Sequence, residues 1–145
     1  MATATPTPVS GLTVQVLGAD AEPLPNAELG RLFPHLHPRS PRYERLARSA
    51  RVVATFDGQI VGFAAYQRVG ADLRVPELSL LASVAHGARD VLGALLDALE
   101  TTGLAGGAGR IVLPATAPAH GLLRRRGYEL ISEGCAGAWM EKSFG

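Results

Sequence analysis

The stretch "RVVATFDGQIVGFAAYQRV", residues 51–69, constrains the fold more than any other part of the chain. Two β-rich runs flank Asp57-Gly58, a pair that tolerates the positive φ values of a tight hairpin turn. The sequence therefore predicts two antiparallel neighbouring strands here. Before them, "GLTVQVL" reads as a short alternating strand from Leu12 to Leu17. Asn26 is expected to cap a helix carrying Leu29, Leu32 and Phe33, which Pro34 ends. Ser40 followed by Pro41 makes a second helix start, a cap and then a residue of fixed φ, with Tyr43, Leu46, Ala47 and Ala50 on one apolar face.

After the hairpin, "VPELSLLAS" predicts a strand over Pro76 to Ser83, and its nearly continuous apolar character suits the middle of a sheet. "VAHGARDVLGALLDALE", residues 84–100, reads as a loop running into a helix. Leu92, Leu95, Leu96 and Leu99 recur at i, i+3, i+4 and i+7 and make one apolar stripe, ended near Gly103. "GLAGGAGR", residues 103–110, follows a helix and leads into the strand "RIVLP". Phosphate cradles do the reverse, so these glycines read as a helix terminator and a connection. A short helix in "APAHGLLRRR" stops at Gly127, a strand starts at Tyr128, and "GAWMEKSF" makes the last strand. The order strand, helix, helix, three strands, helix, strand, helix, strand, strand predicts an α/β fold, a central sheet with helices on both faces.

Of the 145 residues, 47% are hydrophobic and 19% charged, and no apolar run approaches the roughly 18 residues of a membrane span. The expectation is one soluble domain over residues 12–145, with no membrane contact, after a loose Thr- and Pro-rich tail at 1–11. Cys135 is the one cysteine; it cannot form an internal disulfide and suits a reducing, cytoplasmic setting. Its glycine-rich neighbours supply no activating partner, which points to an inert strand-end residue. The formal net charge is +1, and the basic residues are scattered apart from Arg124, Arg125 and Arg126, so nucleic acid is not an expected partner. That arginine run is read as a solvated helix terminus. His35, His37 and His86 show no accompanying ligand in a known metal spacing, and no metal is expected.

Three pieces in this order, "VVATFDGQIVGFAAY", "ELSLLAS" leading into "GARDVLGALLDALE", and "HGLLRRRGYEL", resemble the GNAT superfamily of acyl-coenzyme A dependent N-acyltransferases. The likeness covers about Leu12 to Phe144. It implies a mixed, mostly antiparallel sheet in which the fourth strand splays from the fifth and pantetheine lies between them. Leu81, Ala82 and Ser83 would then face pantetheine. Gly87, Ala88, Arg89, Asp90, Val91 and Leu92 would form the phosphate loop, where a helix start offers unpaired N–H donors and partial positive charge.

The chain departs from the family pattern at that loop. The usual pair of small residues is replaced at Asp90 and Leu92: Leu92 adds bulk, and Asp90 brings a carboxylate that can cap the helix itself and repel a phosphate. Arg89 can offset part of that charge. The family also often carries an asparagine and a proton-donating tyrosine on the later short helix, where this chain has Thr116 and Leu123. Thr116 reads as a helix cap, Tyr128 as a core aromatic and His120 as a helix-surface residue. Amine acylation often uses a base, and Glu77, beside the implied cleft, is the carboxylate expected to serve.

Two functions remain open. One is an N-acyltransferase moving an acetyl group from acetyl-CoA to an amine of a small molecule or protein. The other is a catalytically inactive GNAT-fold module acting as a ligand sensor or protein-interaction domain. A homodimer is a third element of the reading, with "AGAWMEK" as an edge strand, Trp139 and Met140 included, pairing across a two-fold axis.

Overall fold

The computed structural model describes residues 12–37, 39–80, 87–115, 119–134 and 137–144; the side chains of 87–90 fall outside that description. The tail at 1–11, Leu81 to Ser83, His86, Thr116 and Cys135 therefore lie outside the described residues.

The predicted hairpin forms between β2 (Arg51–Phe56) and β3 (Gln59–Val69), closing at Phe56↔Gln59. Asp57 and Gly58 take φ values of 53° and 79°, as a two-residue turn that follows the strand twist requires. β1 (Leu12–Leu17) pairs antiparallel with the outer side of β2. A second hairpin, closed by Val69↔Asp72 with Gly70 at φ 60°, leads into β4 (Asp72–Leu80). This strand starts at Asp72 and not at Pro76, because the turn at Gly70 returns the chain immediately onto β3. The remaining strands are β5 (Arg110–Ala115), β6 (Glu129–Gly134) and β7 (Gly137–Ser143), giving one seven-stranded sheet ordered β1-β2-β3-β4-β5-β7-β6. Every neighbouring pair is antiparallel except β4 with β5.

That order overturns the expectation of an edge strand at Trp139 and Met140. The chain passes from β5 through a short helix to β6, and the β6–β7 hairpin then folds β7 back into the gap. β7 is thus paired on both sides, and β6 and β1 are the edges.

Helices cover both faces. On one side α1 (Asn26–Leu32) and α2 (Pro41–Arg48) bury Leu29, Leu32, Tyr43, Leu46 and Ala47 with Phe63 and Ala65 of β3. Ser40 caps α2 as expected, accepting a hydrogen bond from the Tyr43 amide at 3.2 Å. Asn26 does not cap α1. Pro25 takes the cap position, its carbonyl accepts from the Glu28 and Leu29 amides, and Asn26 is the first helical residue.

On the other side α3 (Gly87–Ala105) lays its leucine stripe, Leu92, Leu95, Leu96 and Leu99, against the sheet, none more than 3% exposed. α4 (His120–Arg125) adds Leu123 to the same core. Arg124 and Arg125 are exposed, but Arg126 is not a solvated terminus: Gly127 at φ 95° turns the chain so that Arg126 meets Asp97 and Glu100 of α3.

Gly62 of β3 sets how closely α3 can approach. A Cβ there would stand 2.5 Å from Val91 Cγ1 and 3.1 Å from Leu95 Cδ1, and a β-branched side chain in a helix has little rotamer freedom to yield. Gly62→Ala should destabilise the protein by about 1–3 kcal/mol in urea unfolding. Gly93→Ala, whose Cβ meets nothing within 4 Å, should instead stabilise α3 by up to about 1 kcal/mol.

Candidate functional site

Among the described residues β4 and β5 share three rungs, Asp72↔Arg110, Leu73↔Ile111 and Arg74↔Val112. Beyond them β4 continues to Leu80 beside β3, and β5 continues to Ala115 beside β7, without pairing to each other. Each strand carries a proline just past the last rung, Pro76 and Pro114, and a proline has no N–H to give to a ladder. A split therefore opens in the middle of the sheet.

β4 also bulges at this point. Two residues, Val75 and Pro76, stand opposite the single Tyr66, between the pairs Gln67↔Arg74 and Ala65↔Glu77. Regular alternation would point Glu77 to the same face as Leu73 and Val75, into the α3 core. The extra residue reverses it. Glu77 now faces α2, where Arg42 donates to Oε2, and Ser79 donates to the Leu32 carbonyl at 2.7 Å, while Leu78 and Leu80 pack on the α3 side. The Glu77 side chain is 18% exposed, and its Oε1 has no partner among the described residues.

α3 starts at Gly87, and the first four N–H groups of a helix have no intrahelical acceptor. Among the described residues those of Gly87, Ala88 and Arg89 fill that place. The side chains of Val91 and Leu92 are buried at 0% and 3% exposure and pack in the core. The bulk of Leu92, expected to crowd this loop, is directed into the sheet instead, because Leu92 belongs to the apolar stripe.

The position expected for a proton donor holds nothing acidic: Leu123 is 0% exposed in the core under α3. Tyr128 is buried, as expected of a core aromatic. Its hydroxyl donates to Glu100 Oε2 at 2.8 Å, Lys142 lies 3.2 Å from Glu100 Oε1, and burial, then Glu100, pushes the phenol pKa up. His120 is half-buried and not on the open surface, with Nε2 covered and without a hydrogen-bond partner among the described residues. His37 Nδ1 accepts from the Arg39 amide at 3.1 Å. Among the described residues no group of three or more His, Cys, Asp or Glu is placed to hold a metal, and no helix is long and apolar enough to cross a membrane.

On the sheet face away from α3, a groove of about 330 Å³ begins where the split begins. Arg74, Pro76 and Val112 line it beside Trp139 of β7 and Ile131 and Ser132 of β6, with Gln67 and Arg110 completing the wall. Sequence reasoning missed these residues because they meet only through the strand order. Arg110 fixes the closed end: its Nε and Nη2 donate to the two oxygens of Asp72 at 2.8 and 3.1 Å, and its Nη1 to Glu141. The Arg110 hydrogen bond holds the Asp72 carboxyl below its ordinary pKa, and Asp72 in turn raises that of Arg110. A depressed carboxyl stabilises the fold above its unfolded pKa of about 4 and loses that contribution as pH falls through the folded value. Asp72→Asn should flatten this part of the acid limb of stability, measured by thermal unfolding between about pH 5 and pH 2.

No protein-family model and no curated protein sequence matches the chain. Solved structures do. The chain is similar to PaiA N-acetyltransferase from Thermoplasma acidophilum in complex with coenzyme A (13% identity, TM-score 0.61, covering 92% of this chain and 99% of that one). It is also similar to an aminoglycoside 6'-acetyltransferase type Ii (17%, 0.68, 90% and 96%) and to an agmatine N-acetyltransferase (12%, 0.71, 92% and 100%). The chain has the GNAT fold.

Proposed function

We propose that this GNAT-fold chain is an N-acyltransferase that takes an acetyl group from acetyl-CoA to an amine. The observation that carries the reading is the split between β4 and β5 together with the bulge that turns Glu77 out of the α3 core. The unpaired inner edges of β4 and β5 can bind an amide-bearing arm as a missing strand would, and the residues that would line it are Val75 to Leu80, with Leu81, Ala82 and Ser83 following. The orphan amides at Gly87, Ala88 and Arg89 are the candidate donors for the pyrophosphate, by backbone only, with Asp90 closing the first turn behind them, and Arg89 is a candidate direct ligand. Coenzyme A supplies the activated thioester.

Glu77 is the candidate base. Arg42 fixes one carboxylate oxygen and leaves the other free to take the amine proton. An acceptor in the groove lies on the same face as Glu77, next to Pro76. The similar structures named as acetyltransferases of agmatine and aminoglycosides support an amine acceptor of small size. The buried Leu123 favours the second reading, an inactive module that binds a ligand or a protein, because that site offers the departing thiolate no proton.

Backbone hydrogen exchange separates the two readings. Saturating acetyl-CoA should slow exchange across residues 75–80 and 87–90; unchanged exchange there would overturn the acyltransferase. Glu77→Gln should lower kcat by about 10²–10⁴ in a thiol-release assay. A variant with full activity would remove Glu77 from the chemistry.

A further inference from the structure

We propose that the groove selects an acceptor amine that also carries a carboxylate and an apolar side group, a free amino acid being the simplest case, and that it turns away polycationic amines. The inference rests on the acyltransferase reading of the adjacent split. It follows from how the charges of the groove are already committed.

Among the described residues two cations line the groove and no carboxylate does. Arg110 is spent, with three of its nitrogens on Asp72 and Glu141. Arg74 makes no hydrogen bond or ion pair with any described residue and stands exposed at the last rung before the split. Asp72 feels its charge, yet both oxygens of Asp72 are held by Arg110. Arg74 is thus a guanidinium whose fork is open to a ligand, and a planar carboxylate matches that fork with two parallel hydrogen bonds. Gln67, the cross-strand partner of Arg74, and Ser132 add an amide and a hydroxyl donor to the same groove.

The remaining wall is apolar and uncovered. Trp139 and Ile131 are 36% and 45% exposed, large side chains left open to solvent on a sheet face. Val112 and Pro76 continue that surface. A volume near 330 Å³ is at the small end of ligand pockets, about 300–1,000 Å³, which suits one compact molecule. A carboxylate on Arg74 and an apolar group on Trp139 leave the amine on the Pro76 side, toward Glu77. A polyamine would meet the like charge of Arg74, with no carboxylate among the described lining residues to pair its own charges.

Trp139 is the one tryptophan of the chain, so its fluorescence reports occupancy of this groove alone. L-leucine and L-phenylalanine should each change that fluorescence saturably. Their decarboxylated counterparts, isoamylamine and phenethylamine, should bind about tenfold or more weakly, and spermidine not at all. Arg74→Gln, at an exposed position, should erase the difference within each pair while leaving the unfolding transition unchanged. Equal binding of an amino acid and its counterpart, preference for spermidine, or no response in the wild-type protein would overturn the inference. Protection of residues 75–80 by acetyl-CoA without amino-acid discrimination overturns this inference and leaves the acyltransferase standing. Discrimination without that protection overturns the acyltransferase, and the acceptor role with it, and leaves the groove as an amino-acid binding site.

Discussion

The parting of two parallel strands after three rungs is the constraint on which the rest of the site depends. A seven-stranded sheet gains most by pairing along its whole length, and an interrupted ladder at its centre leaves backbone groups without partners. Here the interruption has identifiable causes. Pro76 and Pro114 cannot donate across the gap, and the β4 bulge opposite Tyr66 bends the strand away at the same place. The closed end is tied by Arg110, which joins Asp72 of β4 to Glu141 of β7 across β5. The open end is held apart by its separate neighbours, β3 for one wall and β7 for the other.

Both helical layers are fitted to that geometry. On one face Gly62 lets Val91 and Leu95 lie directly on β3, bringing the start of α3 to the sheet beside the end of β4. On the other face α1 and α2 grip β4 beyond the bulge, through Ser79 on the Leu32 carbonyl and Arg42 on Glu77. Tyr43 locks the two helices together by donating to the Asn26 carbonyl at 2.8 Å. The wall of the split that bends is therefore also the wall that is clamped.

What was legible in the sequence was local. Asp57-Gly58 and the leucine stripe of α3 carry their own geometry, one in turn chemistry and the other in helical period, and the element order followed from them. The strand order is not legible, because the insertion of β7 between β5 and β6 depends on pairing between distant segments; Trp139 reads as an edge residue from the sequence for that reason. Glu77 was placed near the cleft from its position in the chain, but the bulge that aims it toward α2 leaves no periodic trace, and only Pro76 hints at it. Leu92 falls both on the apolar stripe and in the expected phosphate loop, and the stripe position decides that its side chain points inward. The groove around Arg74 and Trp139 joins five strands and cannot be assembled from spacing.

The proposed chemistry depends on whether the split takes an acyl-coenzyme A despite Asp90 at the helix start. Calorimetric titration with acetyl-CoA, with coenzyme A as comparison, asks this directly. A saturable heat is predicted, with a Kd in the micromolar range, that is a binding free energy of about −8 kcal/mol. No detectable heat, with no rise in Tm at saturating coenzyme, would contradict it.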